Sequence, residues 1–295
     1  MIVAWWGDEK TWKSSAGLSF PKPLFHMDLD VGGFERAAWR LDSKLRIYRC
    51  KPEDKLDTLD WSKYDIVTKP YPVPVQMEKL MGLKTPAPNE KGASVRFPRR
   101  VIGYKEVWQQ IVVDYVAACQ NPIPVTIMWD SATQLWSICH TSLLQEKQEI
   151  QIAQGKGPEH SEFREKLQPV EYPNDRMRSL IYTARSFGKN LAITHYPKDV
   201  YGERFDADGR KQEYRTGEIT LDGFKHTQQL VDLVIKLNLE MRTNIISHEK
   251  EPVVVATITK CGLPGLGTAA TGKTLIDVSY QGILDLIEES KPSVS

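Results

Sequence analysis

Gly7-Asp8-Glu9-Lys10-Thr11-Trp12-Lys13-Ser14 is a stretch whose residue types and spacing suit the holding of phosphate. It reads G-x-x-x-x-W-K-S and directly follows the apolar run Ile2–Trp6. In such a turn from strand to helix, backbone N–H groups and the helix N-terminus face the phosphates. The lysine reaches the outer phosphates and the hydroxyl binds Mg²⁺. A glycine normally precedes that lysine, so that no Cβ blocks the backbone's approach. Trp12 stands in its place. It either points outward, covering the nucleotide, or spoils the loop, and this questions hydrolysis more than binding. Two acids complete the set: Asp30, just past the apolar run Leu24–Met27, and Asp130, closing the run Pro124–Trp129. In open α/β sheets ligands sit at the carboxyl ends of strands, where both acids are expected.

A literal G-x-x-x-x-G-K-T occurs at Gly267–Thr274. The residues after it, Leu275-Ile276-Asp277-Val278, have strand character, so the helix that should supply the dipole is missing. The poorer match at the N-terminal end has the better context.

The elements that must position these groups follow from apolar periodicity. Val3–Trp6 and Leu24–Asp28 read as strands, with a short helix Lys13–Ser19 between them that Pro21 and Pro23 stop. Residues from about 51 to 100 are rich in Pro, Lys and Asp, and 71–98 reads as an insertion or loop. Val107, Ile111, Tyr115, Val116 and Cys119 recur at helical spacing, ending near Asn121-Pro122. Strand Pro124–Asp130 and helix Ser131–Gln151 follow. Gly155–Pro173 is charged, and Asn174 or Asp175 is expected to cap a helix ending at Gly188. Leu191–His195 reads as a strand and Tyr196–Gly217 as a polar loop. Leu233 to Met241 alternate apolar with polar, Val253–Thr259 reads as the hairpin partner, and Ser279–Glu289 as a closing helix. Strand–helix alternation with a late hairpin predicts an α/β fold, a mostly parallel sheet flanked by helices.

Composition narrows the classes. The 295 residues carry 39 Lys+Arg and 38 Asp+Glu, a formal charge of +1, which argues against a generally basic nucleic-acid coat. With 41% hydrophobic and 26% charged residues the chain is globular in type, and no apolar run approaches the roughly 20 residues of a membrane span. Cys50, Cys119, Cys139 and Cys261 are too scattered for a zinc site, a redox dithiol or a secreted disulfide framework. No leader pattern precedes Ile2, so the reading is a cytoplasmic protein.

Gly7–Ser14, then Leu18-Ser19-Phe20-Pro21-Lys22-Pro23-Leu24 and Asp28-Leu29-Asp30-Val31-Gly32-Gly33, resemble the phage-type nucleotide-binding proteins of the RecA-like P-loop ATPase superfamily. Val125–Asp130 with Ser131-Ala132-Thr133 is similar to the Walker B strand of that superfamily, Ala192–His195 to its sensor strand, and Asp232–Leu239 with Val253–Cys261 to its late hairpin. The resemblance covers most of the chain except about 45–100 and 150–172. It implies one RecA-like ATPase domain over 1–295, without a separate N-terminal domain and with polar insertions near 51–100 and 150–173. Its cofactors would be ATP and Mg²⁺, and its compartment the host cytoplasm if the chain is phage-encoded.

The resemblance also implies roles. Gly7, Asp8, Glu9, Lys10, Thr11, Trp12, Lys13, Ser14 and Ser15 would hold the nucleotide, with Lys13 on the β/γ-phosphates. Ser14 and Asp130 would hold Mg²⁺. Asp30 would orient the attacking water, though the family more often has Glu there, and His195 would sense the γ-phosphate. Lys260 resembles the place where RecA-like filaments supply a lysine to a neighbouring copy, so a homo-oligomer or filament is implied. RecA-like proteins couple nucleotide state to DNA through loops placed like Gly155–Lys166 and Tyr196–Gly217. The second carries Lys198, Arg204, Arg210, Lys211 and Arg215 among Tyr196, Tyr201, Phe205 and Tyr214, a mixture suited to single-stranded DNA. Acids in the same stretch nearly cancel its charge. Three functions stay open: an ATP-dependent recombination, annealing or replication factor on single-stranded DNA; a nucleotide-binding assembly or regulatory module with little hydrolysis because of Trp12; and a catalytically dead structural relative.

Overall fold

The computed structural model describes residues 1–30, 32–76, 100–156, 171–205, 211–243, 248–264, 266–275 and 278–290. The sheet begins with β1 (Ile2–Gly7), whose residues are all buried. Helix α1 (Lys13–Leu18), β2 (Leu24–Asp28) and helix α2 (Gly33–Ala38) follow. Next come β3 (Ile47–Arg49), a 3₁₀ turn at Trp61–Lys63, β4 (Ile66–Pro70), helix α3 (Tyr104–Gln120) and β5 (Thr126–Asp130). Helices α4 (Ala132–Ala153) and α5 (Glu171–Ser186) lead to β6 (Asn190–His195) and a hairpin, β7 (Pro197–Phe205) with β8 (Lys211–Leu221). The chain closes through the short helix α6 (Thr227–Leu230), β9 (Leu233–Thr243), β10 (Lys250–Cys261), a 3₁₀ turn at Gly267–Ala270, β11 (Thr274–Leu275) and helix α7 (Tyr280–Glu289).

The nine-stranded sheet has the order β11-β10-β9-β1-β6-β5-β2-β4-β3. From β9 to β3 every pairing is parallel, and β10 and β11 add to the β9 edge in antiparallel register. This is the mostly parallel sheet with a late hairpin that the sequence predicts. Its strands read as unbroken apolar runs because both faces are covered. Ile2, Ala4 and Trp6 pack on one face with Ile111, Tyr115 and Ile138. Val3 and Trp5 pack on the other with Ala16, Phe34 and Ile283.

Three expectations change. Tyr196–Gly217 is not a loop: β7 and β8 pair antiparallel as a separate two-stranded sheet, because alternating residues such as Tyr201, Glu203, Glu213 and Arg215 can all face solvent on a ribbon. The polar stretch after residue 45 supplies β3 and β4, which extend the parallel sheet from the short apolar runs Ile47-Tyr48 and Ile66-Val67. Helix α5 starts at Glu171, ahead of the caps expected at Asn174 or Asp175. Pro173 is tolerated there because its missing N–H would have no partner in a first turn. Most of the expected insertion at 71–98, and residues 157–170 of the expected charged stretch, lie outside the described residues.

Candidate functional site

The turn between β1 and α1 is built by backbone conformations that its sequence only partly advertises. Gly7 has φ 149°, and a Cβ on it would lie 2.0 Å from the Leu237 carbonyl oxygen on β9. Only glycine fits so close an approach. Lys10 and Trp12 are left-handed, with φ 62° and 65°. Trp12 caps α1 in that conformation and points outward, 43% exposed, with the Arg40 guanidinium 3.4 Å from its ring centroid. The tryptophan therefore takes the backbone shape that a glycine would, and its side chain leaves the inside of the loop clear.

Lys13 donates through Nζ to the carbonyls of Gly7 (2.8 Å) and Asp8 (2.5 Å), and lies 5.6 Å from the Tyr196 ring centroid. Burial lowers its pKa, against the opposing pull of Asp130, Asp8, Glu9 and Asp30. Thr11 ties the turn by donating to Asp8 O at 2.7 Å. Glu9 through Ser15 line a cleft of about 590 Å³ together with Asp30, Asp130, Thr194 and Tyr196.

Asp130 is the hub. Burial alone would raise its pKa, but hydrogen bonding and charge from His26, with further bonds from Ser14 and Thr194, outweigh this and hold it below the usual carboxylate value. Thr194 donates to Oδ1 at 2.7 Å, and His26 Nε2 faces Oδ2 at 3.4 Å while its Nδ1 meets Thr68 Oγ1 at 2.9 Å. Asp28 is the register partner of Asp130 on the adjacent strand. Its Oδ1 is buried and has no hydrogen-bond partner. Burial first, then the charges of Asp130 and Asp30, raise its pKa, although His26 pulls the other way. A Cβ on Gly33, the first residue of α2, would lie 3.2 Å from Asp130 Oδ2 and 3.3 Å from Asp28 Oδ1. Any larger residue there would fill the space beside both carboxylates.

That orphaned oxygen fits a divalent cation. Mg²⁺ takes one or two carboxylates and fills its remaining positions with water and substrate phosphates. Ser14, Asp130 and Asp28 supply two carboxylates and a hydroxyl without a dedicated cage. No cluster of three or more His, Cys, Asp or Glu side chains able to hold a metal occurs among the described residues.

Asp30 lines the cleft, but it is engaged. Its Oδ2 accepts from the Tyr196 hydroxyl and from Arg36 Nη2 at 3.2 Å. The bond to Asp30, after burial, raises the Tyr196 pKa. His195 lies elsewhere. Neighbouring strand residues face opposite sides, so Thr194 turns to Asp130 while His195 is fully buried with Nδ1 2.7 Å from Asp222 O. Burial pushes its pKa down to about 4. Of the two, Thr194 lines the cleft and His195 does not.

The remaining expected positions are dispersed. Lys260 is exposed on β10 opposite Val234, whose other neighbour is Ala4, three residues short of the loop end of β1. On the β7–β8 ribbon, Arg215 pairs with Asp199, Lys198 lies 3.5 Å from Asp222, and the Arg204 guanidinium sits 5.7 Å from the Tyr214 ring centroid. Arg210 lies outside the described residues, and only the backbone of Lys211 is described. The literal motif at Gly267–Thr274 forms a 3₁₀ turn and a short edge strand, and Lys273 donates to Ser290, the residue that caps the last helix, at 2.8 Å.

Sequence reasoning missed His26 and Thr194, gave Tyr196 only a place among the aromatics for single-stranded DNA, and left Asp28 without a role. A histidine inside the apolar run Leu24–Met27 was a signal for the first, since a buried imidazole needs polar partners.

No family model matches the chain, and no curated protein matches it. Among solved structures it is similar to a KaiC-like protein from the hyperthermophilic archaeon Pyrococcus horikoshii OT3, at 10% identity and a TM-score of 0.39 over 93% of this chain and 83% of that one. A likeness that distant carries no argument about activity. No helix among the described residues is long and apolar enough to cross a membrane.

Proposed function

We propose that the chain is a RecA-like ATPase that binds ATP with Mg²⁺ in the cleft between the β1–α1 turn and Asp130. The observation that carries this reading is the convergence of Lys13, Ser14 and Asp130 in one cleft at the carboxyl ends of parallel strands, with the unpartnered Asp28 oxygen beside Asp130. Lys13, now held on two loop carbonyls, turns to the outer phosphates. Ser14, Asp130 and Asp28 would hold the metal, which would supply positive charge to offset that of the β- and γ-phosphates. Asp30 orients water through Oδ1, since Tyr196 and Arg36 occupy only Oδ2.

Single-stranded DNA is the proposed partner of the β7–β8 ribbon. Tyr201 and Tyr214 are 56% and 43% exposed beside Arg204 and Arg215, which gives bases a face to stack on and phosphates a charge. Tyr196 contacts Asp30 and directly precedes β7, so the nucleotide site and the ribbon share a backbone link.

A second reading, nucleotide binding with little hydrolysis, is favoured by the prior engagement of Asp30. Equilibrium titration with ATP and Mg²⁺ tests the common core: Lys13→Ala is expected to lose binding, and unchanged affinity would overturn the site. Phosphate release with and without single-stranded DNA separates the two readings. Stimulation that charge reversal at Arg210 and Lys211 removes supports the DNA-coupled ATPase. Tight ATP binding without release supports the second.

A further inference from the structure

We propose that Trp12, Arg40 and Trp39 form a stacking subsite for the base of the bound nucleotide, so that the ligand is a purine nucleoside triphosphate gripped at both ends. This rests on the phosphate-site reading above and adds to it the recognition of the base.

The Arg40 guanidinium lies 3.4 Å from the Trp12 ring centroid and 4.6 Å from that of Trp39. A flat cation thus sits against two indoles at one place on the surface. Among the described residues Arg40 has no carboxylate partner; the two rings are what hold it. Trp39 is 74% exposed, an unusual position for the largest apolar side chain unless something covers it. All three residues line the same cleft as Lys13, Ser14 and Asp130.

The subsite's place is fixed by helix α2. Gly33, Arg36 and Ala37 line the cleft from α2 at the spacing i, i+3, i+4, and Trp39 and Arg40 line it from the turn that follows the helix. Gly33 stands against Asp28 and Asp130, and Arg40 continues the turn by its bond to Ala37 O at 3.2 Å. At helical rise the five steps of α2 from Gly33 to Ala38 cover about 7.5 Å, and Arg40 lies beyond its end. The acids and the rings therefore lie toward opposite ends of α2 in one cleft, with Arg36 between them along the chain. Trp12 caps α1 one residue before Lys13, so the loop that would meet the phosphates also presents a ring to the base.

Rings and guanidinium recognise a π-face and not a hydrogen-bonding edge, so the larger purine face is preferred over a pyrimidine. A bound base either lies on the open face of Trp39 or takes the slot of Arg40, which is then free to reach the phosphates. Both arrangements need Trp39.

The test compares ATP with inorganic tripolyphosphate, each with Mg²⁺, by equilibrium titration of the full chain. Trp39→Ala is expected to weaken ATP about ten-fold and to leave tripolyphosphate within two-fold, because only ATP carries a base. Trp39→Phe is expected to recover most of the ATP affinity. Equal losses for both ligands, or no loss for ATP, would overturn the stacking subsite. Tripolyphosphate binding that survives Lys13→Ala would instead overturn the phosphate site beneath it. If single-stranded DNA binding falls in Trp39→Ala while ATP binding is unchanged, the rings serve a nucleic-acid strand and the proposal is refuted.

Discussion

Replacing Asp28 with asparagine is expected to stabilise the protein at neutral pH while weakening its hold on Mg²⁺. Asp28 Oδ1 is buried without a partner, and a Gly33 Cβ position lies 3.3 Å from it and 3.2 Å from Asp130 Oδ2. The two oxygens are thus no farther apart than those distances combined. Two like charges about 6 Å apart repel by about 2–3 kcal/mol at an effective dielectric near 20. His26 offsets part of this, and Asp28 is only partly buried, so a gain of about 1–2 kcal/mol remains for the neutral side chain. The sign follows from proton linkage. The folded-state pKa of Asp28 is raised by burial and then by Asp130, so its penalty is absent at pH below the unfolded value of about 3.8 and grows as pH rises through the folded value. Urea denaturation in chelator, at pH 7 and again near pH 3.5, measures it. The variant should lead at pH 7 and lose most of its lead in acid, where Asp28 is largely protonated in both states. Excess Mg²⁺ should then raise the wild type at pH 7 more than the variant. Equal stabilities at pH 7, or a lead that persists unchanged in acid, would refute the reasoning.

Three other outcomes are expected. His195, neutral and buried with its pKa pushed to about 4, contributes stability that is complete above pH 6.5 and is lost as pH falls toward 4, up to about 3 kcal/mol; His195→Asn should flatten that part of a urea-midpoint profile. Asp114→Ala would strand Lys69, which is fully buried 2.8 Å from the Asp114 carboxylate, and should cost about 3–5 kcal/mol by chemical denaturation. Lys69→Met combined with Asp114→Leu should recover most of that loss. Gly7→Ala should break the β1–β9 contact, since its Cβ would meet the Leu237 oxygen at 2.0 Å, and reduced thermal stability with lost ATP binding would register it.

Much of the frame was legible because parallel strands covered on both faces must be apolar throughout, as Ile2–Trp6 and Thr126–Trp129 are. The β9–β10 hairpin was legible from its period of two. The β7–β8 ribbon was not, because its residues face solvent on both sides and leave no apolar alternation to read. At the site, Lys13, Ser14, Asp30 and Asp130 come from runs that punctuate the sequence. Thr194 was hidden by a more conspicuous neighbour, His195. A strand turns adjacent side chains to opposite faces, and the sequence does not say which face meets the cleft.

By itself the sequence determined an α/β chain with a lysine-bearing turn after its first strand and acids after two others. Their types and their places at strand ends depend only on local pattern. The tertiary structure decided which acids share a pocket. Parallel registry sets Asp28 opposite Asp130, a pairing between residues far apart in the chain. It also decided what Trp12 does. A left-handed backbone is a matter of local geometry, but only packing against Arg40, from the turn after α2, shows where the ring goes. The same contact turns the expected lesion in the loop into one wall of the cleft, because a side chain held outside cannot obstruct the backbone within.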